Sequence, residues 1–316
     1  MPYQYQKIFT APPTAVTTAT RSRRDRRDGA VYVWNEDLEL AVNIAIATER
    51  PLLVRGASGT GKSSLAASLA VAKKWRYYEE VVSSNTEARH FLWHFETLQR
   101  FSDAQAHSIR PSLHYVEPGV LWWAFDPESA RRRAADSSLV APLADPNRFP
   151  EHDDSRAVVL IDEIDKADPD VPNNLLVPLG SLEFTVTDAN DAIVKAITPP
   201  VVVITTNDER ELPNAFTRRC VVVRLEPPNR GTLLRIAEAH FGSDSSGLYE
   251  RMADALDAIA VVKKAQGLPT PSTAEYLDAI ATCRDLGVSP GEHPTWRAVE
   301  RAVLLKPSMQ DETRGA

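Results

Sequence analysis

The sequence contains few of the residues that build disulfides or cysteine metal sites. Only two cysteines, Cys220 and Cys283, occur among its 316 residues, and they do not form a C-x-x-C pair. This low cysteine content argues against a disulfide framework or a zinc site, and it fits a reducing compartment. His90 and His94 stand one helical turn apart, but no third metal ligand is evident near them.

Long apolar runs are also missing. None approaches the roughly 20 residues that a membrane-spanning helix needs, and residues 1–6 lack the charged-then-apolar layout of a secretion signal. The formal net charge of −7 argues mildly against a protein that coats nucleic acid. With 43% hydrophobic and 25% charged residues, we expect a cytoplasmic globular protein with one large or two smaller domains.

The most informative segment, residues 56–63, reads GASGTGKS and fits the phosphate-loop pattern G-x-x-x-x-G-K-[ST]. Residues 51–55 predict a short buried strand before it, and residues 64–70 predict an apolar helix after it. Here glycines let backbone N–H groups point at an anion, and the helix start adds partial positive charge. We expect Lys62 to contact the outer phosphates of a nucleotide and Ser63 to hold Mg²⁺. The predicted phosphate-binding residues are Gly56, Ala57, Ser58, Gly59, Thr60, Gly61, Lys62 and Ser63.

Two carboxylates follow residues 157–161, a continuous apolar run typical of a central parallel strand buried on both faces. The run ends in Asp162 and Glu163. Downstream of a phosphate loop, this pair would complete an ATPase centre. We expect Asp162 to hold Mg²⁺ through its water shell, and Glu163 to orient the attacking water and accept its proton.

Further polar residues border the later predicted strands. Residues 201–204 predict another buried strand, and Asn207 after it could orient water without adding charge. Residues 212–220 lead into a last strand at 221–223 and include Arg218 and Arg219. An arginine here could reach the nucleotide of a neighbouring subunit and stabilise charge in the transition state.

The remaining pattern predicts an α/β region followed by an all-helical one. Residues 35–48 predict a helix capped by Asn35, residues 77–82 a strand, and residues 182–197 a hairpin. Residues 84–87 fit a capping box that would begin a long amphipathic helix. No strand is predicted after residue 227, where a second capping box at 272–275 and a stop signal at Gly287 bound a helix.

Two segments have irregular composition. Residues 10–28, rich in Thr, Pro and Arg, predict a solvated, mobile tail, with a nucleic-acid arm as the alternative. Residues 102–156 predict a surface insertion anchored by the apolar residues 120–125. We expect Trp122 or Trp123 in that stretch to face a pore or a partner; the alternative is that both anchor the insertion to the core.

The order of phosphate loop, Asp-Glu strand, polar strand end, arginine pair and helical region resembles the AAA+ ATPases. Residues 162–169, DEIDKADP, and the hairpin that precedes ITTND at 204–208 look like the MoxR family, whose members carry D-E-I-[ND]-[RK]-A. The resemblance covers roughly residues 31–306. It implies an α/β P-loop NTPase fold, with a three-layer αβα parallel sheet followed by a small all-helical lid.

The resemblance also implies domain bounds and residue roles. These bounds are a tail at 1–30, a nucleotide-binding domain at 31–227 with insertion 102–156 and hairpin 182–197, a lid at 228–306 and a tail at 307–316. Asn207 would be the first sensor and Arg219 the arginine finger, because Arg219 directly precedes the last strand, with Arg218 in reserve. The family often has a second-sensor arginine where this chain has Ala274, and Arg297 is the candidate substitute.

The function implied by the resemblance is ATP binding and Mg²⁺-dependent hydrolysis by a ring, expected to be a hexamer, that remodels a partner protein. One alternative is a nucleotide-dependent switch with slow turnover. Another is a GTP-using, nucleic-acid-associated motor of the McrB kind. The arginine-rich tail favours that motor, while the acidic net charge and the lack of a DNA-binding module oppose it.

Overall fold

The computed structural model describes residues 5–14, 29–133, 142–149, 151–291 and 293–305. The arginines at positions 21–27 and the tail predicted at 307–316 lie outside these described residues. No helix among the described residues is both long and apolar enough to span a membrane.

Five strands of the described chain form one parallel sheet, and four form two small antiparallel pairs. The strands are β1 (Leu52–Arg55), β2 (Trp75–Val81), β3 (Trp93–Phe95), β4 (Val116–Pro118), β5 (Asp153–Asp162), β6 (Glu183–Val186), β7 (Ala192–Lys195), β8 (Val201–Thr206) and β9 (Val221–Arg224). The order in the large sheet is β2-β5-β8-β1-β9, and the small pairs are β3 with β4 and β6 with β7. The predicted hairpin at 182–197 is therefore confirmed.

Helices cover both faces of the sheet and form the last part of the chain. They are α1 (Glu36–Thr48), α2 (Lys62–Lys73), α3 (Thr97–Gln105), α4 (Val120–Phe125), α5 (Pro127–Arg132), α6 (Asp170–Ser181), α7 (Asn214–Thr217), α8 (Arg230–Phe241), α9 (Leu248–Ala265), α10 (Thr273–Leu286) and α11 (Pro294–Val299). A short π-helix, Glu300–Leu305, follows α11. Neighbouring apolar residues of one strand join different cores: Val159 belongs to one cluster and Val158 to the other. This alternation shows that the sheet is buried on both faces.

The helical region has an apolar core of its own. Met252, Tyr276 and Ile280 are fully buried in a cluster drawn from residue 233 onward. The predicted capping box is present, because Glu275 accepts a hydrogen bond from the Ser272 N–H at 2.7 Å and Ser272 caps α10 in return. These features confirm the predicted fold class, an αβα parallel sheet followed by a small helical region.

The predicted long helix after residue 84 is wrong. Residues Ala88–Phe91 form one 3₁₀ turn, β3 follows, and α3 begins only at Thr97. Trp93 pairs with Pro118 of β4, so sheet pairing replaces the helical hydrogen bonds that the spacing predicted. The capping box of this turn is formed by Glu87 and His90 rather than by residues 84–87.

The apolar stretch 120–125 of the predicted insertion packs into the main core, which confirms it as the anchor of that segment. Helix α4 buries Trp122 fully and leaves Trp123 only 3% exposed, in the cluster that also contains Val159 of β5. Trp122 Nε1 donates to Ser129 Oγ at 2.8 Å, which satisfies the indole where it is buried. The prediction that one tryptophan faces a pore or partner is therefore wrong, and both anchor the segment.

The chain packs against α1 well before residue 31. Phe9 is fully buried and lies 4.9 Å from Trp34, measured between ring centroids. The buried side chain of Asn43 accepts hydrogen bonds from the Ile8 and Phe9 N–H groups at 2.7 Å and donates to Phe9 O at 2.8 Å. The predicted tail at 1–30 is thus corrected at residues 5–9, which Asn43 and Glu39 of α1 and the ring of Trp34 hold in place.

Candidate active site

The phosphate-loop segment connects β1 to α2 at the carboxyl edge of the sheet. Gly56 has φ 151°, and a Cβ there would lie 2.5 Å from Leu225 O. Gly59 has φ 75°, and a Cβ there would lie 2.4 Å from Ser272 Oγ at the start of α10. Because an added side chain would meet the Leu225 backbone or the Ser272 cap, glycine lets this loop pack tightly between the sheet and the helical region.

Lys62 lies at the first turn of α2 and is only 6% exposed. Its ammonium donates to Gly56 O and Ala57 O at 2.8 Å and to Asn207 Oδ1 at 2.7 Å. Burial lowers the pKa of Lys62, while the nearby carboxylates act in the opposite direction. The structure thus brings the predicted phosphate-binding lysine into contact with the predicted first sensor.

Ser63 and Asp162 form a pair of oxygen donors beside the loop. The Ser63 hydroxyl donates to the two Asp162 carboxylate oxygens at 2.8 and 2.9 Å, and Thr205 Oγ1 donates to Asp162 at 2.6 Å. Hydroxyl and carboxylate oxygens suit Mg²⁺, which usually completes its octahedron with water and substrate phosphates. These two residues therefore fit a magnesium ion bound together with a nucleotide. Among the described residues, no group of three or more His, Cys, Asp or Glu could hold a metal by itself.

Glu163 turns toward the cleft through a left-handed backbone conformation, with φ 63°. Its N–H donates to Thr205 Oγ1 at 2.8 Å, and its carboxylate accepts hydrogen bonds from Asn207 Nδ2, at 3.1 Å, and from Lys166 Nζ. Burial alone would raise the pKa of Glu163, but the hydrogen bonds from Lys166 and Asn207 outweigh it and hold the pKa below its ordinary value. Glu163 is therefore ionised at neutral pH and can accept a proton.

Two aspartates that the sequence analysis did not assign fix the loop after β8. Buried Asp165 accepts hydrogen bonds from the N–H groups of Asn207, at 3.2 Å, and Glu209, at 3.0 Å. Asp208, also left-handed with φ 60°, binds Arg55 Nε and an arginine of β9, each at 2.8 Å. That second arginine is Arg224, the last residue of β9. Asp165 and Asp208 both follow the carboxyl ends of strands, β5 and β8, and such ends meet at one edge of a parallel sheet. This position is the sequence signal that could have identified them.

A cleft of about 560 Å³ extends from these residues to the helical region. Its lining includes the apolar and aromatic side chains of Tyr32, Leu38, Ile236 and Leu277, besides the phosphate loop, Asp162, Glu163 and Asn207. The volume is within the range of small-molecule sites, and the mixed lining suits a ligand with one apolar and one anionic end. Tyr32 lies in an irregular segment before α1 and belongs to no motif, so its place in the cleft could not be predicted from the sequence.

The helical region contributes no arginine to the described lining of this cleft. Ala274 lines it, and its Cβ lies 3.8 Å from the Cβ position built on Gly59, so the predicted second-sensor position does face the loop. Arg297, the candidate substitute, is exposed on α11 and is not part of the lining. The structure therefore does not bring Arg297 together with the other site residues.

Arg218 and Arg219 lie at the edge of the sheet formed by the amino ends of β1 and β9, opposite the phosphate loop. They are exposed and follow α7, just before β9. Strands β1 and β9 run parallel, with Leu52 opposite Val221, so the arginines precede the amino end of a strand pair whose carboxyl end meets the phosphate loop. At about 3.3 Å per residue, the four residues of β1 separate these two ends by about 13 Å.

A comparison with models of known families matches residues 51–220 to the AAA domain (dynein-related subfamily). The chain belongs to this family. The match to the AAA domain covers more than half of the chain and includes the phosphate loop, Asp162, Glu163, Asn207 and both arginines. It ends before the helical region.

Comparisons with other proteins add the following. No curated protein matches the chain. Solved structures that match include a "putative ATPase" from Cytophaga hutchinsonii, at 13% identity and a TM-score of 0.40, covering 89% of this chain and 84% of that one. Another is a mutant of RuvB from Thermotoga maritima, at 12% identity and a TM-score of 0.44, covering 89% of this chain and 74% of that one. At such low scores, these two likenesses add nothing to the family assignment.

Proposed function

We propose that this AAA+ protein is a MoxR-like ATPase that binds and hydrolyses ATP, assembles into a ring and remodels a partner protein. The observation that carries the proposal is the contact between Glu163 and Asn207 at 3.1 Å, beside the Lys62 ammonium and the Ser63–Asp162 oxygen pair. A carboxylate held ionised next to an amide and a phosphate-binding loop suits the activation of water for phosphoryl transfer.

Nucleotide binding would use both ends of the cleft. The base and ribose would lie against Tyr32, Leu38, Ile236 and Leu277, and the phosphates would face the N–H groups of the loop and Lys62. Ser63 and Asp162 would hold Mg²⁺, which supplies positive charge to the phosphate oxygens when bound. In this arrangement Lys62 transfers its hydrogen bonds from the loop carbonyls and Asn207 to the phosphates.

Hydrolysis would depend on two side chains from neighbouring strands. Glu163 accepts the proton of the attacking water, and Asn207 orients that water without adding charge. Asp165 acts through the backbone, because its carboxylate accepts hydrogen bonds from both sides of the Asn207 turn. The same arrangement supports an arginine finger in trans, since Arg219 lies at the edge of the sheet opposite its own phosphate loop.

The domain bounds 31–227 and 228–306 remain part of this proposal, with the N-terminal segment 5–9 now attached to the first domain. Their support is the separate apolar core of the helical region, which draws on residues from 233 onward. Ser272 lies so close to Gly59 that movement of the helical region would be transmitted to the loop that faces the nucleotide phosphates. Opening and closing of this lid within the ring would couple hydrolysis to remodelling of the partner protein.

Replacing Glu163 tests the proposal. Glu163→Gln keeps the shape and the phosphate contacts but removes the base, so we expect ATP binding near the parent value and turnover lower by on the order of a hundredfold or more. Binding is measured by titration with a fluorescent ATP analogue, and turnover by phosphate release from ATP and from GTP in parallel. The matched control is Glu211→Gln, an exposed glutamate of the loop after β8 that lies outside the cleft lining.

Different outcomes separate the alternatives. Parent-level turnover in Glu163→Gln would remove Glu163 from the mechanism. Tight ATP binding with almost no turnover in the parent itself would favour the slow switch, and a strong preference for GTP would favour a motor of the McrB kind.

A further inference from the structure

Arg50 contacts the segment that contains the two arginines. It is the last residue before Pro51 and β1, and its exposed guanidinium reaches across to the end of α7. The Nε group donates to Arg219 O at 2.9 Å, and Nη2 donates to Arg218 O and, at 3.3 Å, to Cys220 O. One side chain therefore holds three consecutive main-chain carbonyls.

These three carbonyls lie in the turn between α7 and β9. Helix α7 ends at Thr217, and its last carbonyls already accept hydrogen bonds from the N–H groups of Arg218, Arg219 and Cys220. The carbonyls of residues 218–220 lie beyond the helix and outside any helical hydrogen-bond pattern. A planar guanidinium presents several donors in a fixed fork, so it can satisfy neighbouring acceptors at once in a defined geometry. Because the bonds go to the main chain of Arg218 and Arg219, they fix the backbone from which these side chains project. The two guanidinium groups take no part in these bonds.

Arg50 is itself anchored on both sides. Its N–H donates to Ala45 O at 3.2 Å at the end of α1, where Glu49 adopts a left-handed conformation with φ 53°. Immediately after it, Pro51 O accepts a hydrogen bond from Val221 N at 2.8 Å, which continues into the pairing of β1 with β9. The guanidinium thus projects from a fixed junction of helix and strand.

We propose that Arg50 is a positioning residue for Arg219. Through Arg219 it affects hydrolysis of the nucleotide bound to the neighbouring subunit rather than the nucleotide of its own subunit. This inference rests on the proposed ATPase function and on a finger supplied in trans. An arginine finger contributes only when its guanidinium meets the charge that develops on the transferred phosphoryl group. Without the three bonds from Arg50, residues 218–220 keep their overall fold, but their backbone is no longer held in the position that directs the Arg219 side chain toward the neighbouring subunit.

A purely structural role for Arg50 gives a different result in mixed rings, and this difference is the test. Arg50→Ala is assayed for ATP binding, melting temperature and turnover, alone and mixed with Glu163→Gln. Arg251→Ala, an exposed arginine of α9, is the matched control. Displacement of a catalytic group by about 1 Å can cost on the order of a hundredfold, so we expect turnover to fall on the order of tenfold to a hundredfold with ATP affinity unchanged.

Mixing then identifies the affected site. An Arg50→Ala subunit keeps its Glu163, and a Glu163→Gln subunit keeps a well-placed Arg219, so the site between them is complete and turnover should rise above that of either protein alone. If Arg50 instead supported its own phosphate loop through β1, no site in the mixture would be intact. Absence of rescue in this mixture, while Arg219→Ala mixed with Glu163→Gln is rescued, overturns the proposal.

A conservative variant covers the possibility that Arg50→Ala does not fold. Arg50→Lys keeps the charge but replaces the fork by a single ammonium, so we expect intermediate turnover and the same rescue in trans. Parent turnover in either variant overturns the proposal. Failure of the proposed function is distinguishable, because then neither Glu163→Gln nor Arg219→Ala would lower turnover, and the role of Arg50 would fall with it.

Discussion

The carboxylate of Glu163 is held by two donors of different charge. Asn207 contributes a neutral amide, while Lys166 contributes an ammonium from three residues further along the same segment. Both hydrogen bonds lower the pKa of Glu163, and the positive charge of Lys166 lowers it further. Of the groups that lower the pKa of the proposed base, Lys166 has the largest effect, although it is itself 43% exposed.

This contact predicts a change in the pH dependence of hydrolysis. The ionised form of Glu163 is the active one, and its lowered pKa keeps that form present at pH values below the ordinary range of a glutamate. In Lys166→Met the hydrogen bond and the charge are lost while the burial stays, so the pKa of Glu163 rises. We expect the acidic limb of the kcat profile to move to higher pH, measured by phosphate release across about pH 4 to 8, chosen to bracket the ordinary glutamate range.

Lys166→Arg is the control for this prediction, because it retains a charged donor at the same position. Its acidic limb should stay close to that of the parent. An unchanged limb in Lys166→Met would mean that Lys166 does not set the pKa of the base, and equal displacement in both variants would point to geometry rather than charge.

The strands of the large sheet could be predicted from the sequence because they are buried on both faces. Residues 157–161 and 201–204 are continuous apolar runs, and both lie in central strands, β5 and β8. Such runs report burial directly and need no knowledge of partners. The helical region was predictable for a related reason, since its capping box at Ser272 is a local signal.

Elements that depend on distant partners could not be predicted in the same way. Strand β3 exists because Trp93 pairs with Pro118, more than twenty positions further along the chain, and the local spacing of apolar residues equally suits a helix. Phe9 is buried because its N–H donates to the Asn43 side chain and its ring packs against Trp34. In each case a long-range contact overrides the local pattern.

Helix α4 gives a prediction about stability. Trp122 is fully buried and its indole donates to Ser129, so Trp122→Ala leaves a large cavity and removes that hydrogen bond. Replacing a large buried aromatic residue by alanine typically costs about 3–5 kcal/mol. We expect Trp122→Ala to lower the free energy of unfolding by this amount in a urea titration monitored by circular dichroism.

An exposed apolar residue of the neighbouring helix is the control. Leu98 on α3 is 83% exposed, so Leu98→Ala should change the free energy of unfolding by no more than about 0.5 kcal/mol. If Trp122→Ala were about as stable as the parent, the indole would not be buried in the main core. The prediction that Trp122 faces a pore or a partner would then be favoured again.

The complete site depends on the order of strands in the whole molecule. The motifs identified Lys62, Asp162 and Asn207 individually, but only the sheet order places β1 between β8 and β9, so that Arg55 and Arg224 meet Asp208. Sequence patterns do not determine which strands become neighbours. For the same reason the sequence could not exclude Arg297, whose distance from the cleft is a property of how the helices of the last region pack.

The arginine pair and the phosphate loop lie at opposite edges of the sheet, which matters for how subunits would assemble. Arg218 and Arg219 precede the amino end of β9, while the phosphate loop leaves the carboxyl end of β1, the strand beside it. In a ring, the arginine edge of one subunit can face the nucleotide edge of the next. Catalysis would then belong to the interface, and turnover should fall on dilution as rings dissociate.

Mixed rings test this arrangement directly. Arg219→Ala should bind ATP normally but hydrolyse it on the order of a thousandfold more slowly, since that is the contribution of a finger supplied in trans. Mixed with Glu163→Gln, it should recover turnover at interfaces where an intact Glu163 meets an intact Arg219, with a maximum near equal proportions. Arg218→Ala, measured in the same way, shows which of the two arginines is the finger. Concentration-independent turnover by a monomer with ATP, together with no recovery on mixing, would show that hydrolysis is completed within one subunit.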